Sequence, residues 1–445
     1  MAPNDTVRRR AFLGTVGAAF VGLAGCSDST GPSNGTDTGT PGTPTATPAG
    51  TPNDTTDATP TDSPNGTDTG TPADQGPPAW MANQGDLYDN FAMFDDQWSV
   101  RNGSATLVEG EGFMGTPGVR METDDGGLVR VERKYWQAQD FSNKTLSMAV
   151  KLEETTVSSA EIAIYLKDIN GNEEKHSDEI PSEAAGEWLR IDPGAKSTDT
   201  IDLSQLTHIR IDHYARDGNS TTFVASDLRT HPKPETGTVV FALEGTHENN
   251  VDVVYPAMKE AGFAGGVFAA PDKLGHSSDP TISDYQEMVA DGWDMGVTTL
   301  GAKRLTEIQG EQDALAGATT QLEKRGFDGA TNVFRPPRGD YTAETLGYAD
   351  ESFDLTFVGV GGSMGTNDQL TDTRTVLSID ADDLEWATEC VEAAATHKQT
   401  AVLFFTPRHI DDPAAFEALV ARTKELQQNG DLQVVTPTEL ASRYA

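Results

Sequence analysis

The chain has 445 residues, and its 70 acidic side chains outnumber its 32 basic ones for a formal charge of −38 at pH 7. A polyanion of this strength repels nucleic acid and anionic lipid, so neither is expected as a partner through charge. Only two cysteines occur, which leaves little room for a disulfide framework.

In chain order, residues 1–26 read as an export address. Arg8-Arg9-Arg10-Ala11-Phe12-Leu13 resembles a twin-arginine signal, and the apolar stretch 11–25 is too short and too rich in Gly and Ala for a membrane span. Leu23-Ala24-Gly25-Cys26 resembles a lipobox. That resemblance implies cleavage before Cys26, lipidation of its thiol, and anchorage to the outer face of the cytoplasmic membrane. The alternative is an uncleaved anchor with an incidental cysteine. After cleavage a monomer would hold Cys390 beside the modified Cys26, so no internal disulfide forms.

Residues 27–80 are a tether of Thr, Gly, Pro, Asp, Asn and Ser without apolar periodicity. Such a segment buries too little surface to offset its chain entropy. Asn34, Asn53 and Asn65 each begin an Asn-x-Thr sequon. The acidic excess runs through the whole mature chain, which suggests a salt-loving archaeon; an acidic mesophilic surface protein is the alternative.

Beyond the tether the chain is longer than one core usually organises. Its composition breaks near 230–236, at His231-Pro232-Lys233-Pro234. Residues 85–230 read as all-β. Alternating apolar runs fall at 118–123, 128–132, 145–152, 160–167, 187–191, 208–213 and 222–226, with turn signals at 124–127, 170–172 and 217–219. This predicts a sandwich. Leu87-Tyr88-Asp89-Asn90-Phe91 and Phe223-Val224-Ala225-Ser226-Asp227-Leu228 resemble the start and end of jelly-roll carbohydrate-binding modules, and that resemblance implies a jelly-roll-like sandwich and a possible carbohydrate-binding module. Trp98, Tyr135, Trp136 and Tyr214 are its candidates for stacking on sugars, or are core.

Residues 237–445 alternate strands and helices. Strands are predicted at 238–243, 265–269, 331–334, 355–360, 375–379, 400–405 and 432–435. Helices are predicted at 250–261, 283–291, 305–325, 343–349, 382–397 and 413–429, with a last one from Pro437 capped by Thr436. The pattern means a parallel sheet covered by helices, with chemistry at the carboxyl ends of the strands.

Phe241-Ala242-Leu243-Glu244-Gly245, Gly292-Trp293-Asp294-Met295-Gly296 and Arg335-Pro336-Pro337-Arg338-Gly339 fall at those ends. In this order they resemble the active-site segments of the polysaccharide deacetylase (NodB-homology) family. The resemblance implies an α/β fold of the distorted (β/α) barrel type behind the sandwich. It also implies removal of acetyl groups from glycans with zinc or another divalent metal. It places the catalytic base at Leu243, a metal carboxylate at Glu244, the metal histidines at Thr298 and Ala302, and the acid histidine at Thr406. Leu, Thr and Ala cannot serve these roles. This points to a degenerate member, a pseudoenzyme that binds glycan. The competing reading is an active esterase or amidase with a shifted site. Arg335, Asp340 and His409 are its catalytic candidates, Glu244, His247 and His276 its metal candidates, and Arg335, Pro336, Pro337 and Tyr341 its substrate contacts. A third reading is a non-catalytic envelope scaffold.

Overall fold

A computed structural model of the chain describes residues 77–195, 200–216, 218–276, 279–327, 332–359 and 365–444. The export address, Cys26, the three sequons and nearly all of the tether lie outside the described residues. No helix among the described residues is long and apolar enough to cross a membrane.

The first half forms two antiparallel sheets. Its strands are β1 (Asp86–Asp89), β2 (Trp98–Asn102), β3 (Ser104–Val108), β4 (Gly118–Glu122), β5 (Leu128–Gln139), β6 (Lys144–Thr155), β7 (Ser159–Asp168), β8 (Glu173–Pro181), β9 (Trp188–Ile191), β10 (Leu206–Tyr214) and β11 (Thr221–Pro232). One sheet runs β3-β4-β11-β6-β9 with β1 on β11; the other runs β2-β5-β10-β7-β8. Period-two alternation builds the core between them. Val129 and Val131, Ile162 and Ile164, and Ile209 and Ile211 are fully or almost fully buried, facing Met121, Met148, Val150 and Phe223 of the other sheet. Each predicted run overlaps one of these strands, with Thr123 and Glu187 falling just outside β4 and β9. Strand β8, Glu-Glu-Lys-His-Ser-Asp-Glu-Ile-Pro, escapes the alternation rule because its buried residues include Glu174, His176 and Asp178.

The second half is mixed α/β, and its named strands pair in parallel. Its strands are β12 (Gly237–Glu244), β13 (Gly266–Phe268), β14 (Asp294–Gly296), β15 (Val333–Phe334), β16 (Leu355–Val358), β17 (Val376–Leu377), β18 (Ile379–Asp380), β19 (Thr400–Phe405) and β20 (Leu432–Val434). The order β14-β13-β12-β19-β18 makes one sheet, with β20 on β12, and β15-β16-β17 makes a second. A short turn α1 (Phe94–Gln97) lies in the first half. The helices here are α2 (Tyr255–Ala261), α3 (Ile282–Ala290), α4 (Glu311–Lys324), α5 (Ala343–Ser352), α6 (Leu384–His397), α7 (Pro413–Asn429) and α8 (Pro437–Ala441). Central β12 is buried on both faces, as a covered parallel strand requires. Val239, Phe241 and Leu243 pack with Met258, Val391, Leu419 and other helix residues, whereas Val240 and Ala242 pack with Phe268, Phe357 and Phe404.

The two parallel sheets meet edge to edge at two places, through the Val297–Phe334 bridge and where the chain passes from β17 into β18. Both halves lie within one compact unit, Gly70–Ala445. The core of the sandwich extends into Tyr341, Leu346, Val358 and Leu377. Polar contacts tie the seam. Asp372 accepts from Arg190 N at 3.2 Å, Asp192 accepts from Thr371 N at 2.9 Å, and Arg374 donates to Trp188 O at 2.8 Å. His231, read from sequence as part of a connector, is a buried residue of β11.

Candidate functional site

The carboxyl ends of the parallel strands open into a cleft of about 850 Å³, lined among others by Glu244, His247, Thr298, Ala302, Arg335, Pro337, Asp340, Asp380, Asp382 and His409. The first and third sequence segments therefore meet in space, joined by Thr298 and Ala302 from just beyond the second. Arg335, which follows β15, is its buried anchor. Its Nη1 donates to Ser378 Oγ at 2.6 Å and to Phe357 O at 3.2 Å, and its guanidinium lies 4.2 Å from the centre of the Phe404 ring. Burial works against its charge, and the carboxylates of Glu244, Asp380 and Asp340 favour it.

Glu244, at the end of β12, is held on both oxygens. Oε2 lies 3.4 Å from Arg335 Nε, and Oε1 accepts the backbone N–H of Arg338 at 3.1 Å. Arg338 reaches it from a left-handed conformation with φ +61°, and Ala302 across the cleft also has positive φ, +52°. Such backbone is rare outside glycine, and clusters of it often mark sites under functional constraint.

A second pair closes the other side. His409 Nδ1 donates to Asp382 Oδ2 at 2.5 Å, and its Nε2 accepts from Arg408 Nε at 3.2 Å. These partners assign a neutral ring with its proton on Nδ1. Asp382 also accepts the backbone N–H of Thr406 at 2.6 Å. Asp340, the third carboxylate, is paired with Arg304 at 2.5 Å. Burial is the main cause that raises Asp380 above the usual carboxylate range, reinforced by the charges of Asp382 and Glu244.

The remaining sequence candidates divide. His247 lines the cleft, its Nδ1 accepting from Asn249 N at 3.2 Å. His276 is exposed, bonded to Asp272 O, and absent from the lining. Pro336 is buried behind Pro337 and does not line the cleft. Tyr341 is 2% exposed and packs into the sandwich core, so it offers no surface to a ligand. Leu243 points to the helix-packed side, away from the cleft. Among the sandwich aromatics, Trp98 is buried with its indole N–H on Asp89, Tyr135 bonds Tyr88, and Trp136 is fully exposed.

These residues do not fit the metal that the family resemblance implies. A zinc site takes three or four donors at roughly 2.0–2.3 Å. No group of three or more His, Cys, Asp or Glu among the described residues is placed to hold an ion. Sequence reasoning missed Asp382, because Asp380-Ala381-Asp382-Asp383 before α6 reads as helix capping. Asp383 does cap that helix, accepting from Glu385 and Trp386 N–H.

No family model matches the chain, and no curated protein matches it. Several solved structures are similar over part of it. An exo-β-agarase is 15% identical with a TM-score of 0.27, covering 34% of this chain and 24% of its own. The Xyl-CE4 domain of a multidomain xylanase from the hindgut metagenome of Trinervitermes trinervoides is 12% identical, with a TM-score of 0.35, and covers 47% of this chain and 91% of its own. A family 11 carbohydrate-binding module from Clostridium thermocellum is 17% identical, with a TM-score of 0.25, over 33% of this chain and 93% of its own. The chain spans about a quarter of the agarase. At such scores no activity passes from these proteins to this one.

Proposed function

We propose that this chain is an exported, lipid-anchored surface protein whose cleft binds glycan without metal-dependent deacetylation. The observation that carries this reading is the state of Glu244. The one metal-type carboxylate of the β12 segment is engaged by Arg335 and by the Arg338 N–H, while Leu243 faces the helices and Thr298 and Ala302 line the cleft where imidazoles would be needed. The cleft is nevertheless large, polar and open enough for an oligosaccharide. Calorimetry of the purified mature chain with zinc and with a panel of oligosaccharides tests the reading. Glycan binding without stoichiometric zinc binding is expected. Micromolar zinc binding that Glu244→Ala abolishes would overturn it. For the anchor, Cys26→Ser is expected to move the protein from the membrane fraction to the medium.

The Asp382–His409 pair favours a second reading, a metal-free esterase or amidase. Asp382 accepts a hydrogen bond from Nδ1–H, and Nε2 would act as the base for a water attacking an acyl carbon once the Arg408 Nε–H it accepts swings away. Acetate release from acetylated glycans, lost in His409→Asn, would establish it; no release across a broad panel ends it.

A further inference from the structure

The mouth of the cleft departs from the charge of the rest of the molecule. In a chain where acids outnumber bases 70 to 32, the lining places five basic residues against five acidic ones. The acids are largely occupied. Glu244 faces Arg335, Asp340 faces Arg304, Asp382 accepts a hydrogen bond from His409 Nδ1, and Asp279 accepts from Thr246. Asp380, the fifth, is exposed beside the acidic Glu244 and Asp382. Three cations are not so occupied. Lys273, Arg338 and Arg408 are exposed, line the cleft, and have no carboxylate within ion-pair distance among the described residues. The lining also lacks a platform for neutral sugar faces, since its aromatic residues are Phe268 and Phe404, both buried.

From this arrangement we propose that the glycan taken by the cleft is anionic, its sugars carrying carboxylate or sulfate groups held by Lys273, Arg338 and Arg408. The proposal rests on the glycan-binding reading above and deepens it. The overall charge of −38 does not forbid such a ligand. At physiological salt the Debye length is about 8 Å, so distant carboxylates are screened while groups at the rim act on the ligand directly. Guanidinium groups suit the purpose because their paired N–H donors match the two oxygens of a carboxylate or sulfate.

Calorimetry with oligogalacturonides and their methyl esters holds the sugar backbone constant while removing its charge. Sulfated carrageenan oligosaccharides and their desulfated forms do the same for sulfate. One of the two charged ligands is expected to bind at least about tenfold more tightly than its neutral form, and which one it is identifies the anion. Arg338→Gly and Lys273→Ala together should erase that preference while the thermal midpoint holds, and raising salt from about 0.1 to 1 M should weaken only the charged ligand. Equal binding of charged and neutral forms overturns the anionic assignment and leaves glycan binding standing. Binding of none of the four overturns both.

Discussion

At the scale of single residues, the direction of a side chain decides what chemistry a motif can carry. Leu243 and Glu244 are neighbours on one strand, yet Leu243 packs against the helices and Glu244 opens into the cleft. Leu243→Asp would therefore bury a carboxylate among aliphatic groups. It is expected to cost more than about 3 kcal/mol in urea unfolding and to leave zinc binding unchanged. Arg335 is the opposite case, a buried cation with four partners. Arg335→Ala removes the aromatic stacking and the hydrogen bonds to Phe357 O and to Ser378, whose hydroxyl keeps Val358 O as its partner, for an expected loss of about 3 kcal/mol. Glu244→Gln keeps most of those contacts and should cost about 1 kcal/mol or less, since Glu244 is a quarter exposed. The strand-end motifs were legible because their residue types are unusual in that order. The burial of Tyr341 was not, because nothing local tells a tyrosine after Arg-Pro-Pro that a second sheet lies over it.

At the scale of elements, capping and close approach set the boundaries. Helix α7 starts at Asp412, whose side chain accepts from the N–H groups of Ala414 and Ala415, and ends at Gly430 with φ +83°. Asp412→Ala should lower stability by about 1 kcal/mol, read as a shift in the urea midpoint without a change in slope. Helix α4 begins later than its apolar pattern predicts, because Gly310, at φ +71°, breaks the helix before Glu311. Strand β14 was invisible to periodicity: three residues are too few to alternate. What places it is contact, for a Cβ on Gly296 would lie 2.1 Å from the Phe268 ring. That ring is itself confined by Phe357 and Phe404. Gly296→Ala is thus expected to destabilise by roughly 1–3 kcal/mol, again by urea unfolding.

For the whole molecule, two buried histidines give stability opposite dependences on pH. His176 lies in the seam between the halves, with Nε2 2.9 Å from Glu174 and Nδ1 3.0 Å from Pro193 O and 3.4 Å from Asp368. Burial alone would lower its pKa, but bonds to Asp368 and Glu174 prevail and push it up to about 10 from 6.5. Its contribution is complete below pH 6.5 and fades as pH rises toward 10. His231 sits against Ser147 in the sandwich, and burial, then the charges of Arg190 and Arg229, lower it to about 4. That neutral ring stabilises fully above pH 6.5, and the contribution is lost as pH falls toward 4, by an amount on the order of 3 kcal/mol. Stability measured against pH should accordingly flatten on the alkaline side in His176→Gln and on the acid side in His231→Gln.

The sequence alone determined what depends on neighbours along the chain. Strand and helix periodicity, turns, caps and the order of the strand-end segments all follow from residues within a turn or two of each other. Tertiary structure decided what depends on distant groups. It brought the two parallel sheets edge to edge, joined Asp382 to His409, and set Arg335 and the Arg338 N–H on Glu244. The reason is range: periodicity records which face of an element is apolar, but pairing of buried polar groups depends on where the chain brings each one's partner.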